Sequence, residues 1–267
     1  MSGSTNSPIA VVGGGNMGAA LAGGLLSSGV VSASQLVIVE VIAARRAQLE
    51  SMFPGVSVSE TIPACGAAVI AVKPHDVPAA VGRATSAGAR RILSIAAGVT
   101  ISTLEAAAGT GVAVIRAMPN TPALVGQGAS AIAPGTNAEE SDVAWAENVL
   151  GSVGLVVRVP EHQIDAVTGL AGSGPAYLFL VAEALMDAGV AAGLPRATAD
   201  ALVRQLLIGS ATLLSRGEAP SDLRANVTSP GGTTAAGVSV LESRAVRAAF
   251  IDAVKAATER GRELGRS

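Results

Sequence analysis

The sequence predicts a parallel α/β domain over residues 1–160, followed by an all-helical domain over residues 161–267. Two observations support this division. Along the first 160 residues, short β-branched runs alternate with helical patterns, which is typical of a parallel sheet whose strands are joined by helices. From Ile164 onward no convincing strand pattern remains, and helical patterns continue to the end of the chain.

Each domain yields a definite set of elements. In the first domain strands are expected at 9–12, 36–39, 68–72, 91–95, 112–116, 129–133 and 155–158. Helices are expected between them at 17–28, 43–52, 77–85, 101–107 and 139–151. In the second domain helices are expected at 175–192, 197–214, 220–227, 234–242 and 245–264, the first of them ended by Gly193-Leu194-Pro195.

Composition and charge exclude several classes of function. Apolar residues make up 49% of the chain and aromatic residues only 2%, so small side chains must pack a substantial core. The net charge of −2 and the absence of a basic run give no footprint for nucleic acid. With Cys65 as the single cysteine and two histidines far apart in sequence, neither a disulfide nor a metal site is expected.

The chain is expected to be cytoplasmic and soluble. The polar start lacks the basic segment of a signal peptide, and the apolar run 9–12 is too short for its hydrophobic core. The most apolar long segment, 176–192, contains Glu183 and Asp187, which argues against a membrane span.

A glycine fingerprint follows the first predicted strand and opens the first predicted helix. It reads Gly13-Gly-Gly15-Asn16-Met17-Gly18 and matches G-x-G-x-x-G. Gly13 permits a tight turn, Gly15 leaves space for a pyrophosphate, and Gly18 lets the helix pack on the strand. The first domain is therefore predicted to be a Rossmann-type domain that binds a dinucleotide, with these residues in contact with the cofactor.

The end of the second strand leaves the cofactor open between NAD and NADP. Glu40 stands where an acidic residue usually holds the adenosine ribose 2′-hydroxyl of NAD. Arg45 and Arg46 follow shortly and could instead receive a 2′-phosphate, although solvated helix residues are the simpler interpretation of both. The continuation Val41-Ile42 is unusual for an NADP site.

Three further strand ends supply candidate cofactor contacts. They are Ala71, Val72, Lys73 and Pro74 after the third strand, Ala97 in Ala96-Ala97-Gly98 after the fourth, and Asn120 with Thr121 after the fifth. The carboxyl ends of parallel strands meet at one edge of a doubly wound sheet and face the ligand crevice, so these residues are expected near cofactor or substrate.

The segment Asn226-Val-Thr-Ser-Pro-Gly-Gly-Thr-Thr234 lies between two predicted helices. Its Gly231-Gly232 pair allows backbone conformations closed to other residues, and the helix that follows begins with unpaired N–H groups and a positive dipole end. These features predict a cradle for a small anion, with a carboxylate as the expected ligand and a hydroxyl beside it. The alternative is an ordinary helix connection with a Ser/Thr cap.

The helix expected at 176–192 is apolar on nearly all sides and should be buried on most of them. About a hundred residues of helix would bury it poorly, because small domains bury a smaller share of their surface. We therefore expect an intertwined homodimer. Packing against the first domain alone is the alternative.

Four blocks of this sequence resemble the pyrroline-5-carboxylate reductase family. The most specific is 227–242, and 71–75, 118–122 and 172–177 are similar to further family blocks. The resemblance covers nearly the whole chain. It implies a Rossmann domain with an all-α dimerisation domain, often in larger rings of dimers. It also implies reduction of the cyclic imine L-1-pyrroline-5-carboxylate to L-proline with NADPH, NADH being possible.

The resemblance also implies roles for single residues. The substrate would bind at Ser229, Gly231, Gly232, Thr233 and Thr234, with backbone N–H groups on its carboxylate. Thr234 would be the catalytic residue, its hydroxyl meeting the ring nitrogen. Asn226 would lie near the nicotinamide ribose and Lys73 near the cofactor crevice.

Two other functions fit the predicted fold and are judged by particular residues. A β-hydroxyacid dehydrogenase needs a lysine on a helix of the second domain, and no lysine occurs between Val159 and Val254. A non-catalytic dinucleotide sensor on the same fold would bind NADPH but has no need of the 226–234 loop or of Lys73.

Overall fold

The computed structural model describes residues 7–266 and contains the predicted alternation of strands and helices. The strands are β1 (Ile9–Val12), β2 (Leu36–Val39), β3 (Ser57–Ser59), β4 (Ala67–Ile70), β5 (Arg91–Ser94), β6 (Ala113–Met118), β7 (Gly128–Pro134) and β8 (Gly154–Arg158). Within the described residues they form one sheet in the order β3-β2-β1-β4-β5-β6-β7-β8.

Eleven α-helices are described in the same residues. They are α1 (Asn16–Ser27), α2 (Ala43–Met52), α3 (Val77–Ser86), α4 (Ile101–Ala108), α5 (Glu140–Gly151), α6 (Ile164–Val167), α7 (Gly174–Ala191), α8 (Arg196–Leu214), α9 (Pro220–Asn226), α10 (Thr233–Ser243) and α11 (Val246–Arg266). A π-helical turn, Thr168–Gly172, joins α6 to α7. The predicted elements are confirmed, with bounds within two residues of those expected.

The inner strands of the sheet are buried on both faces, as their β-branched runs require. Successive side chains of a strand point to opposite faces, so Val11 packs in one apolar layer while Ala10 and Val12 pack in the other. The first layer includes side chains of α1 and α5, and the second includes side chains of α3 and α4. Helices on both faces of a mostly parallel sheet define the doubly wound α/β class.

Two features of the sheet differ from the expectation. The short edge strand β3 was not predicted, because Ser57 and Ser59 flank a single valine and give little apolar signal. Strand β7 runs antiparallel to β6, so the sheet is not wholly parallel. Only a 3₁₀ turn, Thr121–Val125, lies in the link between them, whereas a parallel crossover needs a dozen or more residues.

The described chain divides into two compact units. One comprises the residues up to Ser173 together with those from Lys255 onward, and the other is Gly174–Val254. In the second unit α7 and α8 pack closely, since a Cβ added to Gly189 would lie 3.1 Å from the Cβ of Ala199. No residue of α7 is buried within the described chain, and the only buried residues of α8 are Ala199 and Val203.

The apolar surface of α7 is open to solvent in the isolated chain. Leu178, Phe179 and Leu180 are 59%, 65% and 65% exposed. Packing within the chain therefore does not cover this helix. By length and composition alone, the stretch Glu161–Ala191 is apolar enough to cross a membrane, which is weak support for a span.

Candidate active site

Four loops follow neighbouring parallel strands and meet at one edge of the sheet. β1, β4, β5 and β6 are adjacent in the sheet order, and each is paired in parallel with the next. β1 also pairs with β2 on its other side, so the chain reverses its winding direction beside β1. Ligands of doubly wound sheets bind in the crevice at such a switch point.

The glycine fingerprint forms a tight turn from β1 into α1. Gly13 has φ +108°, and a Cβ there would lie 2.5 Å from the carbonyl oxygen of Ala71. A Cβ on Gly18 would collide with the carbonyl oxygen of Gly13, so this glycine lets α1 approach the strand. In contrast, a Cβ on Gly15 would meet no protein atom within 4 Å. The space in front of Gly15 is therefore open.

The first turn of α1 presents free hydrogen-bond donors to this space. Gly15 is the N-cap residue, no side chain caps the helix, and no acidic residue occupies the first turn. The first N–H groups of a helix have no intrahelical partner, and its dipole is positive at this end. Here those groups belong to Asn16, Met17 and Gly18. The turn suits an anion such as a pyrophosphate.

The residue between the fingerprint glycines is also constrained, which the sequence reasoning missed. The Gly14 N–H donates to Glu40 Oε2 at 3.1 Å, and its carbonyl oxygen accepts from Arg45 Nε at 2.8 Å. A Cβ on Gly14 would collide with Leu49 Cδ1 and lie 3.2 Å from Glu40 Cβ. The run of three consecutive glycines was the available signal.

Arg45 and Arg46 are not simple solvated helix residues, and that interpretation is wrong. Arg46 Nη1 donates to the carbonyl oxygens of Glu40 and Val41 at 2.9 and 2.8 Å, and its side chain is only 21% exposed. Together with the Arg45 bond to Gly14, these contacts hold the loop after β2 against the glycine turn.

The loops after β4 and β5 lie at the same edge as expected. Ala71 and Val72 are half-buried, Ala71 donating its N–H to Val12 O at 2.7 Å, while Lys73 and Pro74 are exposed. Lys73 is the N-cap residue of a short 3₁₀ turn before α3. After β5, Ala97 is half-buried beside Gly98, which has φ +76°.

The Asn120 side chain makes two hydrogen bonds to the backbone of the first unit. The side chain is buried, its Nδ2 donates to Ala171 O at 3.1 Å, and its Oδ1 accepts from the Ala129 N–H at 2.8 Å. Ala171 belongs to the π-helical turn. The amide therefore satisfies backbone groups inside the first unit, because buried polar groups must be paired. The cofactor contact predicted for Asn120 stays a prediction.

The segment 226–234 of the second unit, the glycine–threonine loop, connects α9 to α10 as predicted. Asn226 ends α9 and is exposed, and Thr228 closes the turn by donating its hydroxyl to Arg224 O at 2.6 Å. Gly231 has φ +68°, a conformation that favours glycine, and Gly232 is the N-cap residue of α10.

Side chains leave the start of α10 uncapped. The first bond from the helix back to the loop runs from the Ala236 N–H to Gly232 O at 3.2 Å, and no side chain caps the helix. The N–H groups of Thr233, Thr234 and Ala235 therefore point out of the helix end without intrahelical partners. Ser229 and Thr233 are exposed, and Thr234 is half-buried. The Ser/Thr cap of the alternative interpretation is absent, so the loop differs from an ordinary capped connection.

No group of side chains within residues 7–266 could hold a metal ion. Cys65 is buried, and burial raises the pKa of its thiol, so it is a poor nucleophile. The glycine turn and the free N–H groups at the start of α1, on a doubly wound sheet, place the first unit in the class of Rossmann-type dinucleotide-binding proteins. The loop before α10 in the second unit supplies a second uncapped helix N-terminus with hydroxyl groups.

Known proteins identify the family within this class. Residues 161–264 match the family model described as pyrroline-5-carboxylate reductase dimerisation, and residues 8–98 match NADP oxidoreductase, coenzyme F420-dependent. The chain is 42% identical over 267 residues to the pyrroline-5-carboxylate reductase of Arabidopsis thaliana, covering 97% of this chain and 96% of that one. The chain belongs to the pyrroline-5-carboxylate reductase family.

Solved structures agree over the whole length. The chain resembles a pyrroline-5-carboxylate reductase from Coxiella burnetii with a TM-score of 0.91 and 33% identity, covering 98% of this chain and 100% of that one. It resembles the Plasmodium falciparum pyrroline carboxylate reductase, solved with NADP bound, with a TM-score of 0.84 and 29% identity, covering 97% and 98%.

Proposed function

We propose that this chain reduces L-1-pyrroline-5-carboxylate to L-proline with NADPH or NADH, the last step of proline synthesis. The observation that carries the proposal is full-length similarity to reductases of this name, at 42% identity over 97% of the chain. When bound, a reduced nicotinamide would supply the hydride for the imine carbon, and with a proton added at the ring nitrogen the products would be proline and NAD(P)⁺.

The β1–α1 turn fits the pyrophosphate of the cofactor. The space before Gly15 and the uncapped N–H groups of Asn16, Met17 and Gly18 suit two negative phosphates. Gly13 and Gly18 hold the turn close to β4 and β1. Around it we assign the ribose of the adenosine to Glu40, and further cofactor contacts to the loops that carry Ala71–Pro74 and Ala97.

The loop before α10 is assigned to the substrate carboxylate. Gly231, Gly232 and Thr233 would bind it through backbone N–H groups, with Ser229 beside them, at the positive end of the helix dipole. Backbone donors hold an anion without a lysine, which fits a chain whose lysines are only Lys73 and Lys255. Asn226, at the end of α9, is assigned to the nicotinamide ribose.

Thr234 is the proposed catalytic residue. It is half-buried at the second position of α10, directly after the carboxylate-binding groups. Its hydroxyl can orient the ring nitrogen and relay a proton from water, although a hydroxyl is a poor acid by itself. Positioning supplies most of the acceleration, since effective molarities correspond to about 7–11 kcal/mol in favourable cases.

The second domain, 161–267, is proposed to form a homodimer, in which a second copy covers the exposed apolar side chains of α7. Leu178, Phe179 and Leu180 are exposed in succession, and contiguous apolar surface of this kind marks association sites. Residues 1–160 would bind the cofactor. Higher rings of dimers and a cytoplasmic location are parts of the same proposal, and Glu183 and Asp187 on α7 argue for a protein neighbour over lipid.

The absorbance of NADPH and NADH, followed with purified protein and pyrroline-5-carboxylate, tests the reaction. Oxidation with proline as product is expected. Cofactor binding without oxidation would favour the dinucleotide sensor.

A substitution tests the role of Thr234. Thr234→Ala should lower turnover by about 10²-fold, typical of a positioned proton-transfer group, and leave cofactor affinity unchanged. Ser239→Ala, which removes an exposed hydroxyl further along α10, is the matched control and should retain turnover. An unchanged rate in Thr234→Ala would remove this residue from the mechanism.

A further inference from the structure

The carboxylate of Glu40 is fixed by backbone groups at the end of β2. Its Oε2 accepts from the Gly14 N–H at 3.1 Å, and its Oε1 accepts from the Ile42 N–H at 2.9 Å. The Gly14 backbone is held from its other end by Arg45. The side chain is half-buried. Glu40 is thus an ordered carboxylate whose position is tied to the glycine turn assigned to the cofactor.

The arginines that could receive a 2′-phosphate are already engaged. Arg46 donates Nη1 to two carbonyl oxygens and Nη2 to Glu60 Oε2 at 3.2 Å. Arg45 donates Nε to Gly14 O and Nη1 to Gln48 Oε1 at 3.0 Å. Arg45 thus uses two and Arg46 three of its five N–H donors, so both guanidiniums are held by the loop after β2 and have fewer donors left for a phosphate. A phosphate bound to those donors would also bring its charge to the end of β2, where Glu40 is fixed.

A fixed carboxylate and a sugar hydroxyl are complementary. An ionised carboxylate has about four lone-pair sites, and the two N–H groups occupy two of them, so acceptor capacity for a hydroxyl donor remains. A phosphate monoester carries about −1.5 to −2 charges near neutral pH and has no donor to offer when fully ionised. The same group that accepts from a 2′-hydroxyl repels a 2′-phosphate.

We propose that Glu40 determines cofactor specificity and makes this chain select NADH over NADPH. The inference rests on the proposed function for its choice of site and deepens it by naming the preferred cofactor. Discrimination would arise at the adenosine end, away from the imine chemistry, so it can be measured without substrate.

Calorimetric titration of the full chain with ADP-ribose and with 2′-phospho-ADP-ribose tests the proposal directly. ADP-ribose should bind at least about tenfold more tightly, a difference of about 1.4 kcal/mol. NADH and NADPH should show the same order. Equal affinities, or tighter binding of the 2′-phosphorylated fragment, would overturn the proposal.

Glu40→Gln removes the charge and keeps an amide oxygen for one of the two N–H groups. In this variant the affinity ratio of the two fragments should fall to within about threefold of one, because the repulsion is gone. Glu50→Gln makes the same change at an exposed position of α2 and should leave the ratio as in the wild type. An unaltered ratio of the two fragment affinities in Glu40→Gln would contradict the assignment of cofactor selectivity to Glu40.

Arg46→Gln distinguishes whether Arg46 holds the loop after β2 or binds a 2′-phosphate. If Arg46 only holds the loop, this substitution should weaken the binding of both fragments alike. Selective loss of binding of the 2′-phosphorylated fragment would identify Arg46 as the phosphate ligand and contradict the proposal.

The wild type gives a measurement that needs no variant. Added salt should bring the affinities of the two fragments closer together, because it screens the repulsion between Glu40 and the 2′-phosphate. If fragments discriminate but pyrroline-5-carboxylate is not reduced, the proposed function fails and the role of Glu40 stands.

Discussion

Gly15 and Gly18 lie three residues apart at the start of α1, and alanine at the two positions should have opposite effects. A Cβ on Gly18 would collide with the carbonyl oxygen of Gly13 and lie 3.1 Å from its carbon, so backbone must move. Overpacking of this kind destabilises by about 1–3 kcal/mol or more. Gly18→Ala should therefore lower the thermal midpoint by roughly 2–12 °C for a protein of this size.

Gly15→Ala should leave stability nearly unchanged and damage binding. Its φ of −65° and ψ of −170° suit alanine, and a Cβ there meets no protein atom within 4 Å. The lower entropy of the unfolded chain, worth about 0.4–1 kcal/mol, roughly offsets the poorer N-cap. The methyl group occupies the space assigned to the pyrophosphate. Loss of one charge-assisted hydrogen bond, about 1.5–3 kcal/mol, weakens binding roughly 10- to 100-fold.

Thermal unfolding and calorimetric titration with ADP-ribose measure both effects on the same preparations. We expect the Gly15→Ala protein to be as stable as the wild type and to bind ADP-ribose poorly. Wild-type affinity in Gly15→Ala would refute the assignment of the glycine turn to the cofactor. A Gly18→Ala protein as stable as the wild type would refute the steric argument for Gly18.

Three further substitutions test packing and assembly. Asn120→Ala removes the side-chain partner of two partly buried backbone groups, Ala171 O and the Ala129 N–H, and should lower the unfolding free energy by about 1–3 kcal/mol in urea titrations. Asn137→Ala, at an exposed position, should change it by less than about 0.5 kcal/mol. Arg116→Met removes a buried guanidinium that pairs with Glu161 and Asp165, and it should lower the unfolding free energy by about 1–3 kcal/mol in the same assay, because both carboxylates keep partial contact with solvent. In sedimentation velocity Phe179→Asp should shift the protein to monomer, whereas Leu155→Asp, equally 65% exposed, should not; a wild-type monomer that is well folded would contradict the dimer.

Local patterns in the sequence were sufficient to predict most of the helices and strands. The alternation of β-branched runs with helical patterns gave the element bounds within two residues, because each buried strand and each amphipathic helix has its own period. The antiparallel direction of β7 was not predicted, because the residue pattern of a strand does not show which way the strand runs in the sheet. Its one sequence signal was the short link after Met118, too short for a crossover helix.

The candidate site likewise contains features that the sequence predicted and features that only the structure showed. Sequence alone determined the glycine turn of β1–α1, the strand ends gathered beside it, and the glycine–threonine loop before α10, because glycine spacing and order along the chain encode them. Only the tertiary structure decided what the side chains around them do. Asn120 holds the π-helical turn, Glu40 is fixed against Gly14, and Arg46 is used by the loop after β2. Those partners lie up to 51 residues apart, and hydrogen bonds at that separation depend on the packed sheet that brings their elements together.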